Sequence, residues 1–266
     1  SNNRIGALRT AALDLVSILE AANTPERPVK VSVVPFVTAV NVKGEGFSMD
    51  WIDQSALAPH HGENFALEGG KRVSHLTLFN RLGVAWKGCV EARPSPHNFS
   101  DTPPDPAKPE TLFVPYFAPD EPGNATSAGN SSTDLNNSYL DDLVTGDHFP
   151  RQQSLTKYAA TTRDTIDPDG PLTNGPNRAC PTPIVPLTQN YERVRASIRG
   201  MIEWNGSGTN VSEGLAWGWR VLSPGQPYTQ GSAFEDENVA KVVVLLTDGE
   251  NVVFGVRNTL NRSDYG

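Results

Sequence analysis

Two oxygen-bearing side chains stand where a divalent cation could be held. Thr209 lies in the turn Gly208-Thr209-Asn210, and Asp248 lies in Leu245-Leu246-Thr247-Asp248-Gly249. Hydroxyl and carboxylate oxygens are the hard ligands that Mg²⁺ takes, usually with waters retained. On spacing alone the simpler reading is structural: Thr209 and Asn210 cap a helix, and Asp248-Gly249 turns the chain after a strand. His60-His61 offers half of a zinc site, but no paired Cys or third His stands at ligand spacing, so a polar loop is the better account. Asp164, Asp167 and Asp169-Gly170 miss the one-three-five offsets of a calcium loop and lack a Glu at the twelfth place. The Asn-x-Ser/Thr triplets from Asn98 to Asn261 are what chance yields in an Asn- and Ser-rich chain. No Gly-x-Ser-x-Gly, His-Glu-x-x-His, Walker loop or Cys-His pair in a recognisable context is present, which makes an enzyme the weaker class.

The elements that must position Thr209 and Asp248 can be read from periodicity. Ile5, Leu8, Ala12, Leu15, Val16 and Leu19 recur at helical intervals before a stop at Asn23-Thr24-Pro25. The β-branched stretch from Val29 to Phe36 reads as a buried strand. Tyr191, Val194, Ile198, Met201 and Ile202 mark a second helix with Thr188 as its N-cap. Asn210 with Glu213 resembles a capping box opening a third helix, which runs through Trp219 and Leu222 and ends at Ser223-Pro224-Gly225. Trp217 and Trp219 face different ways on it, one into the core and the other under the long segment 37–186. Lys241 to Thr247 is the near-continuous apolar run of a buried parallel strand, and it delivers Asp248 to its carboxyl end, where open α/β sheets place their sites. Residues 37–186 between these halves are rich in Pro, Asn, Asp and Gly, with short strands expected at Gly83 to Cys89 and Thr111 to Phe117.

Composition narrows the classes further. The 266 residues carry 22 basic and 30 acidic side chains, a formal charge of -8, and no Lys/Arg cluster, so nothing offers a footprint for nucleic-acid phosphate. The 23 glycines and 22 prolines describe a globular chain rich in loops. The longest strongly apolar run, Val242 to Leu246, is far short of the roughly 18 residues that span a bilayer. Cys89 and Cys180 are the only cysteines, and an even count permits either one disulfide or two buried thiols.

The order helix, strand, long excursion, Gly-Thr-Asn, helix, strand, Leu-Leu-Thr-Asp-Gly resembles a von Willebrand factor A domain. Trp86 to Pro94, Phe113 to Glu121 and Gly214 to Pro224 resemble, more narrowly, the TadG-like proteins of Tad (Flp-type) pilus assembly. The resemblance implies an α/β, Rossmann-like sheet with helices on both faces, built from residues 1–36 and 187–266 and interrupted by the loop-rich insertion 37–186. It implies that Thr209 and Asp248 are two elements of a metal-ion-dependent adhesion site, whose remaining Asp-x-Ser-x-Ser loop is absent from this chain. Mg²⁺, or Mn²⁺ or Ca²⁺, is therefore expected only where that loop is supplied.

The same comparison places the family's first strand centrally, between Val29 to Phe36 and Val242 to Leu246. This chain has no match to that strand or to the last ones, so it is expected to be an internal fragment that folds poorly by itself. Family members sit on the outer side of the bacterial cytoplasmic membrane behind an N-terminal anchor, so Cys89 and Cys180 are expected to form a disulfide in an oxidising compartment. Such a bridge is a staple that a core-poor insertion would need most. The implied function is non-catalytic adhesion or assembly, with pilus or envelope proteins as partners. A hydrolase or carbohydrate-binding module using His60, His61 and the aromatics near Tyr116 is the alternative, and a scaffold with a decayed metal site is a third reading.

Overall fold

The computed structural model describes residues 4–122, 137–142, 148–159, 174–204, 208–247 and 251. Among them the chain is a mixture of helices with two small antiparallel sheets. Helix α1 is Arg4–Ala22, and the short strand β1 is Val31–Val33. Strand β2 is Val40–Asn41, helix α2 is His75–Leu82, β3 is Cys89–Val90 and α3 is His148–Gln153. Strand β4 is Val185–Thr188, followed by α4 at Tyr191–Gly200 and α5 at Val211–Leu222. No described helix is long and apolar enough to cross a membrane.

Helix α1 forms where the apolar period predicts it. Val16, with Ala12 and Leu13 beside it, packs on Tyr191, Val194 and Ile198 of α4 and on Val185 of β4. Strand β1 pairs antiparallel with β4, Val31 opposite Thr188 and Val33 opposite Val185, with a bulge between. The Ser32 hydroxyl donates to the Val185 carbonyl (2.7 Å) and the Tyr191 hydroxyl to the Val29 carbonyl (2.6 Å), tying strand and helix together. The expected N-cap at Thr188 is corrected. Asn190 caps α4 by accepting from the Arg193 N–H (3.1 Å), while Thr188 ends β4 and its hydroxyl accepts from the Asn190 N–H. The helix stops at Gly200, because Met201 turns extended, so Met201 and Ile202 lie beyond it.

The larger core belongs to the stretch that sequence reading takes for core-poor. Val40, Trp51, Phe65, Leu78, Phe79, Val90, Phe113, Phe117, Tyr139, Tyr158 and Ile184 form one buried cluster, which Trp217 and Val221 of α5 and Tyr228 complete. Its order comes from side chains and loops more than from ladders. Strand β2 pairs with β3, and the expected strand at Thr111 to Phe117 is present only as single bridges, Ile52 to Phe113 and Val90 to Pro115. Of the expected strand at Gly83 to Cys89, only the final cysteine enters β3.

Cys89 and Cys180 are joined in a disulfide, with Cα atoms 5.6 Å apart, packed among Ala39, Tyr116 and Ala118. It closes a separation of 91 residues, for which chain entropy allows roughly 4 to 5 kcal/mol at most. Just before it, Gly88 has φ +113°, and a Cβ there would lie 2.1 Å from the Lys43 Cβ, so only glycine lets the two chain segments approach this closely.

The expected parallel sheet is not formed among the described residues. Of the stretch from Val29 to Phe36, Val31–Val33 forms a strand and Phe36 makes a single antiparallel bridge to Val40, while Val242 to Leu246 enter no strand among the described residues. Parallel strands are stable when buried on both faces. Val242 to Leu246 are instead 39% to 71% exposed, so the run has the composition of such a strand without a described neighbour to bury it.

Candidate functional site

The turn that carries Thr209 is anchored to the segment just beyond β1. The Gly208 N–H donates to the buried Thr38 hydroxyl (2.7 Å) and the Asn210 N–H to the Val37 carbonyl (2.8 Å). Asn210 caps α5, its side-chain oxygen accepting from the Glu213 N–H at 3.1 Å. Thr209 itself is half-buried at the mouth of this cap. Asp248 lies outside the described residues. Asn251, three positions further on, is described, and its side-chain oxygen accepts from the Val211 N–H at 3.0 Å. The chain beyond the apolar run therefore returns to the first turn of α5, beside Thr209.

The described residues alone do not make a cation site. The turn contributes hydroxyls from Thr209 and Thr38, the latter already engaged by Gly208. The nearest described carboxylate on α5, Glu213, is buried against Trp217 and Arg220. No group of three or more His, Cys, Asp or Glu able to hold a metal occurs among the described residues. Neutral hydroxyls without a carboxylate are too weak to hold Mg²⁺, so this turn by itself is not a cation site.

Glu213 also departs from the expected capping box. Its carboxylate does not reach back to the cap; it accepts from the Trp217 indole N–H (2.8 Å) and lies 3.5 Å from Arg220. Burial raises its pKa, and Arg220 only partly opposes the rise. Arg220 is fully buried and donates to the carbonyls of His97, Asn98 and Ser100. Arg93 donates to the carbonyls of Ser100, Thr102 and Thr111. Both guanidinium groups lie over the Phe113 ring, at 4.6 Å for Arg93 and 5.6 Å for Arg220. Burial first, and Arg220 second, bring the Arg93 guanidinium down to about 9.

Residues from each of the three sequence blocks thus meet at one point: Arg93, Phe113, and Trp217 with Arg220. Sequence reasoning missed this clamp. Its available signal was charge set inside apolar blocks, Arg93 after Cys89-Val90-Glu91-Ala92 and Arg220 inside Trp219-Arg220-Val221-Leu222, because arginine enters a core only where carbonyls or acids receive it.

Of the His60-His61 pair, His60 is half-buried and His61 is fully buried beside His75. His61 Nδ1 lies 2.7 Å from the Asp53 carboxylate, and its Nε2 accepts from the His75 N–H at 2.8 Å. Asp53 also accepts from the N–H groups of Ser55, Leu57 and Ala58. Burial raises the Asp53 pKa, but these bonds outweigh it and hold the carboxylate well below its usual range. With both ring nitrogens of His61 engaged, the Asp-His pair ties this loop to the start of α2. Tyr116 is buried beside the disulfide, so the aromatics near it present no sugar platform. The two α5 tryptophans do face different ways, and Trp217 is the one in the core. The expectation that the other packs under the insertion is corrected: Trp219 points outward, 46% exposed, and stacks on Phe234 with centroids 4.8 Å apart. Comparison of this chain with family models, curated proteins and solved structures yields no match.

Proposed function

We propose that this chain is a non-catalytic protein-binding module of von Willebrand factor A type, whose contact face is the end of the fold that bears Thr209. The carrying observation is the convergence there of chain segments far apart in sequence: Val37-Thr38 after β1, the Gly208-Thr209-Asn210 turn, the first turn of α5 and Asn251 beyond the apolar run. In doubly wound sheets such an end is where ligands bind, and an antiparallel pair such as β1 with β4 is a common edge of an otherwise parallel sheet. On this reading Thr209 and Asp248 become cation ligands when an Asp-x-Ser-x-Ser loop joins them. The cation supplies an electrophilic position for a partner's carboxylate. The extracytoplasmic, TadG-like setting and the pilus or envelope partners belong to the same proposal. The disulfide supports it, since such bridges persist in oxidising compartments.

The test is binding to isolated Tad pilus components by surface plasmon resonance. In the chain extended at its start by an apolar strand ending in Asp-x-Ser-x-Ser, with Mg²⁺ present, Thr209→Ala and Asp248→Ala should each weaken association by about tenfold or more, with the urea midpoint unchanged within error. Loss of stability in step with loss of binding would reduce both residues to folding roles.

A further inference from the structure

Beside the aromatic core of the insertion, charged side chains from three stretches of chain meet out of reach of solvent. Asp120, Asp142 and Lys157 are fully buried, and Arg151 of α3 joins them through Asp142. Lys157 stands in the short 3-10 helix Thr156–Tyr158, and Asp120 follows the stretch from Phe113 to Phe117. Tyr139 and Tyr158, packed in one cluster with Phe65 and Phe117, separate the group from water.

The geometry is that of a reaction centre. The Lys157 ammonium donates to Asp120 Oδ2 at 2.8 Å, one bond from the carboxyl carbon, and to the Asp120 backbone carbonyl at 2.8 Å. The other carboxyl oxygen, Oδ1, accepts from the backbone N–H groups of Tyr139 and Leu140, each at 2.6 Å. Two N–H donors converging on one oxygen stabilise the oxyanion that forms when a nucleophile attacks the adjoining carbon. A second carboxylate, Asp142, lies 3.5 Å from the same Lys157 nitrogen and is paired with Arg151. Burial pushes the Asp120 pKa up to about 6, with Lys157 opposing the rise, so the neutral carboxyl is accessible near neutral pH. Holding an ammonium and a carboxylate out of water is costly. An amide between them removes both charges and leaves Arg151 and Asp142 as a balanced pair.

We infer that Lys157 and Asp120 condense to an isopeptide bond, with Asp142 as proton relay and the Tyr139 and Leu140 N–H groups as oxyanion hole. The ammonium first passes a proton to Asp120 Oδ2, giving a neutral amine and a carboxylic acid. Nζ then attacks the carboxyl carbon, the N–C bond forms, and Oδ1 takes the negative charge between its two donors. Asp142 removes a proton from the nitrogen and returns it to the Oδ2 hydroxyl. The C–Oδ2 bond breaks, Oδ1 recovers its double bond, and one water leaves. No oxidant or cofactor is consumed. The product is a second staple in the insertion, one that reduction of the Cys89–Cys180 bridge does not open. It uses neither Thr209 nor Asp248 and is independent of the cation site.

Mass spectrometry of the intact chain tests this. The protein should weigh one water less than its sequence with the disulfide formed, and the deficit should survive reduction. Tryptic digestion should yield a branched species joining the peptide of Asp120 to that of Lys157, uncut after Lys157. Lys157→Arg, which keeps a cation between the two carboxylates, should show the full mass. Asp142→Asn should lose water about a hundredfold more slowly after refolding from urea. A parent of full mass would overturn the inference, as would a deficit that maps to a succinimide at Asp169-Gly170 or Asp248-Gly249. So would a deficit retained in Lys157→Arg, and water loss at the parent's rate in Asp142→Asn would overturn the relay.

Discussion

Replacing Arg220 by Met tests whether the clamp between α5 and the 97–102 loop holds the core together. Arg220 and Glu213 are both buried, 3.5 Å apart, and Arg220 additionally serves three backbone carbonyls. Breaking a buried pair by removing one partner costs about 3 to 5 kcal/mol, chiefly because the other charge is stranded. The Ser100 carbonyl keeps Arg93 as donor at 3.0 Å, so the loss should fall within that range and not exceed it. Glu213→Gln retains an acceptor for Trp217. In the double variant the stranded charge is gone, and the two costs should fall short of additivity by about 1 to 3 kcal/mol. The assay is urea unfolding, with unchanged slope taken as unchanged compactness. A pH check follows from Glu213, whose folded pKa is raised above its unfolded value. A group of that kind stabilises the fold below its unfolded pKa and loses the effect as pH rises through the folded one. The deficit of the Arg220→Met variant should therefore shrink between pH 7 and pH 5. Additive single costs, or a deficit that grows on acidification, would refute the clamp.

Two other sites give sharp expectations. His75 is buried, its Nδ1 donating to the Pro115 carbonyl, and burial first, then His61, press its pKa down to about 3. It stays neutral in the fold, so its stabilisation is full above the unfolded pKa of 6.5 and drains away as pH falls towards 3. From pH 7 to pH 5 the parent should lose about 2 kcal/mol more than His75→Asn, measured as a difference so that Asp120, pushed up to about 6 by burial, cancels. Equal pH slopes would show that His75 does not titrate in this way. Trp217→Ala should cost about 3 to 5 kcal/mol and Trp219→Ala under about 1 kcal/mol, read from urea midpoints. Similar losses would contradict the inward and outward assignment of the two rings.

Local signals in this sequence were reliable where the physics is local. The apolar period of α1, the Asn210 cap and the stop after Leu222 needed only near neighbours, and all three stand in the structure. The N-cap of α4 missed by two residues because Thr188 and Asn190 are both good caps, and pairing with Val31 recruits Thr188 into β4. The strand at Lys241 to Thr247 failed for another reason: composition reports that a segment suits a buried sheet, while pairing requires a neighbour. The insertion misled most. Its core draws on Trp51, Phe65, Phe113, Phe117 and Tyr158, scattered singly between prolines and turns, and aromatic packing of that kind has no period to read. Of the cation pair, the turn at Thr209 was legible through its cap. The buried Arg93 and Arg220 were marked only by their charge within apolar blocks, and where they point was not legible because most of their partners are backbone carbonyls, which sequence does not mark.

The cation site is most directly tested by calorimetric titration of Mg²⁺ into two forms of the protein, the 266-residue chain and the same chain extended at its start by an apolar strand ending in Asp-x-Ser-x-Ser. The account predicts no measurable binding to the first and stoichiometric binding to the second, abolished by Thr209→Ala and by Asp248→Ala. Binding to the extended form that survives both substitutions, or equal binding to both forms, would contradict it.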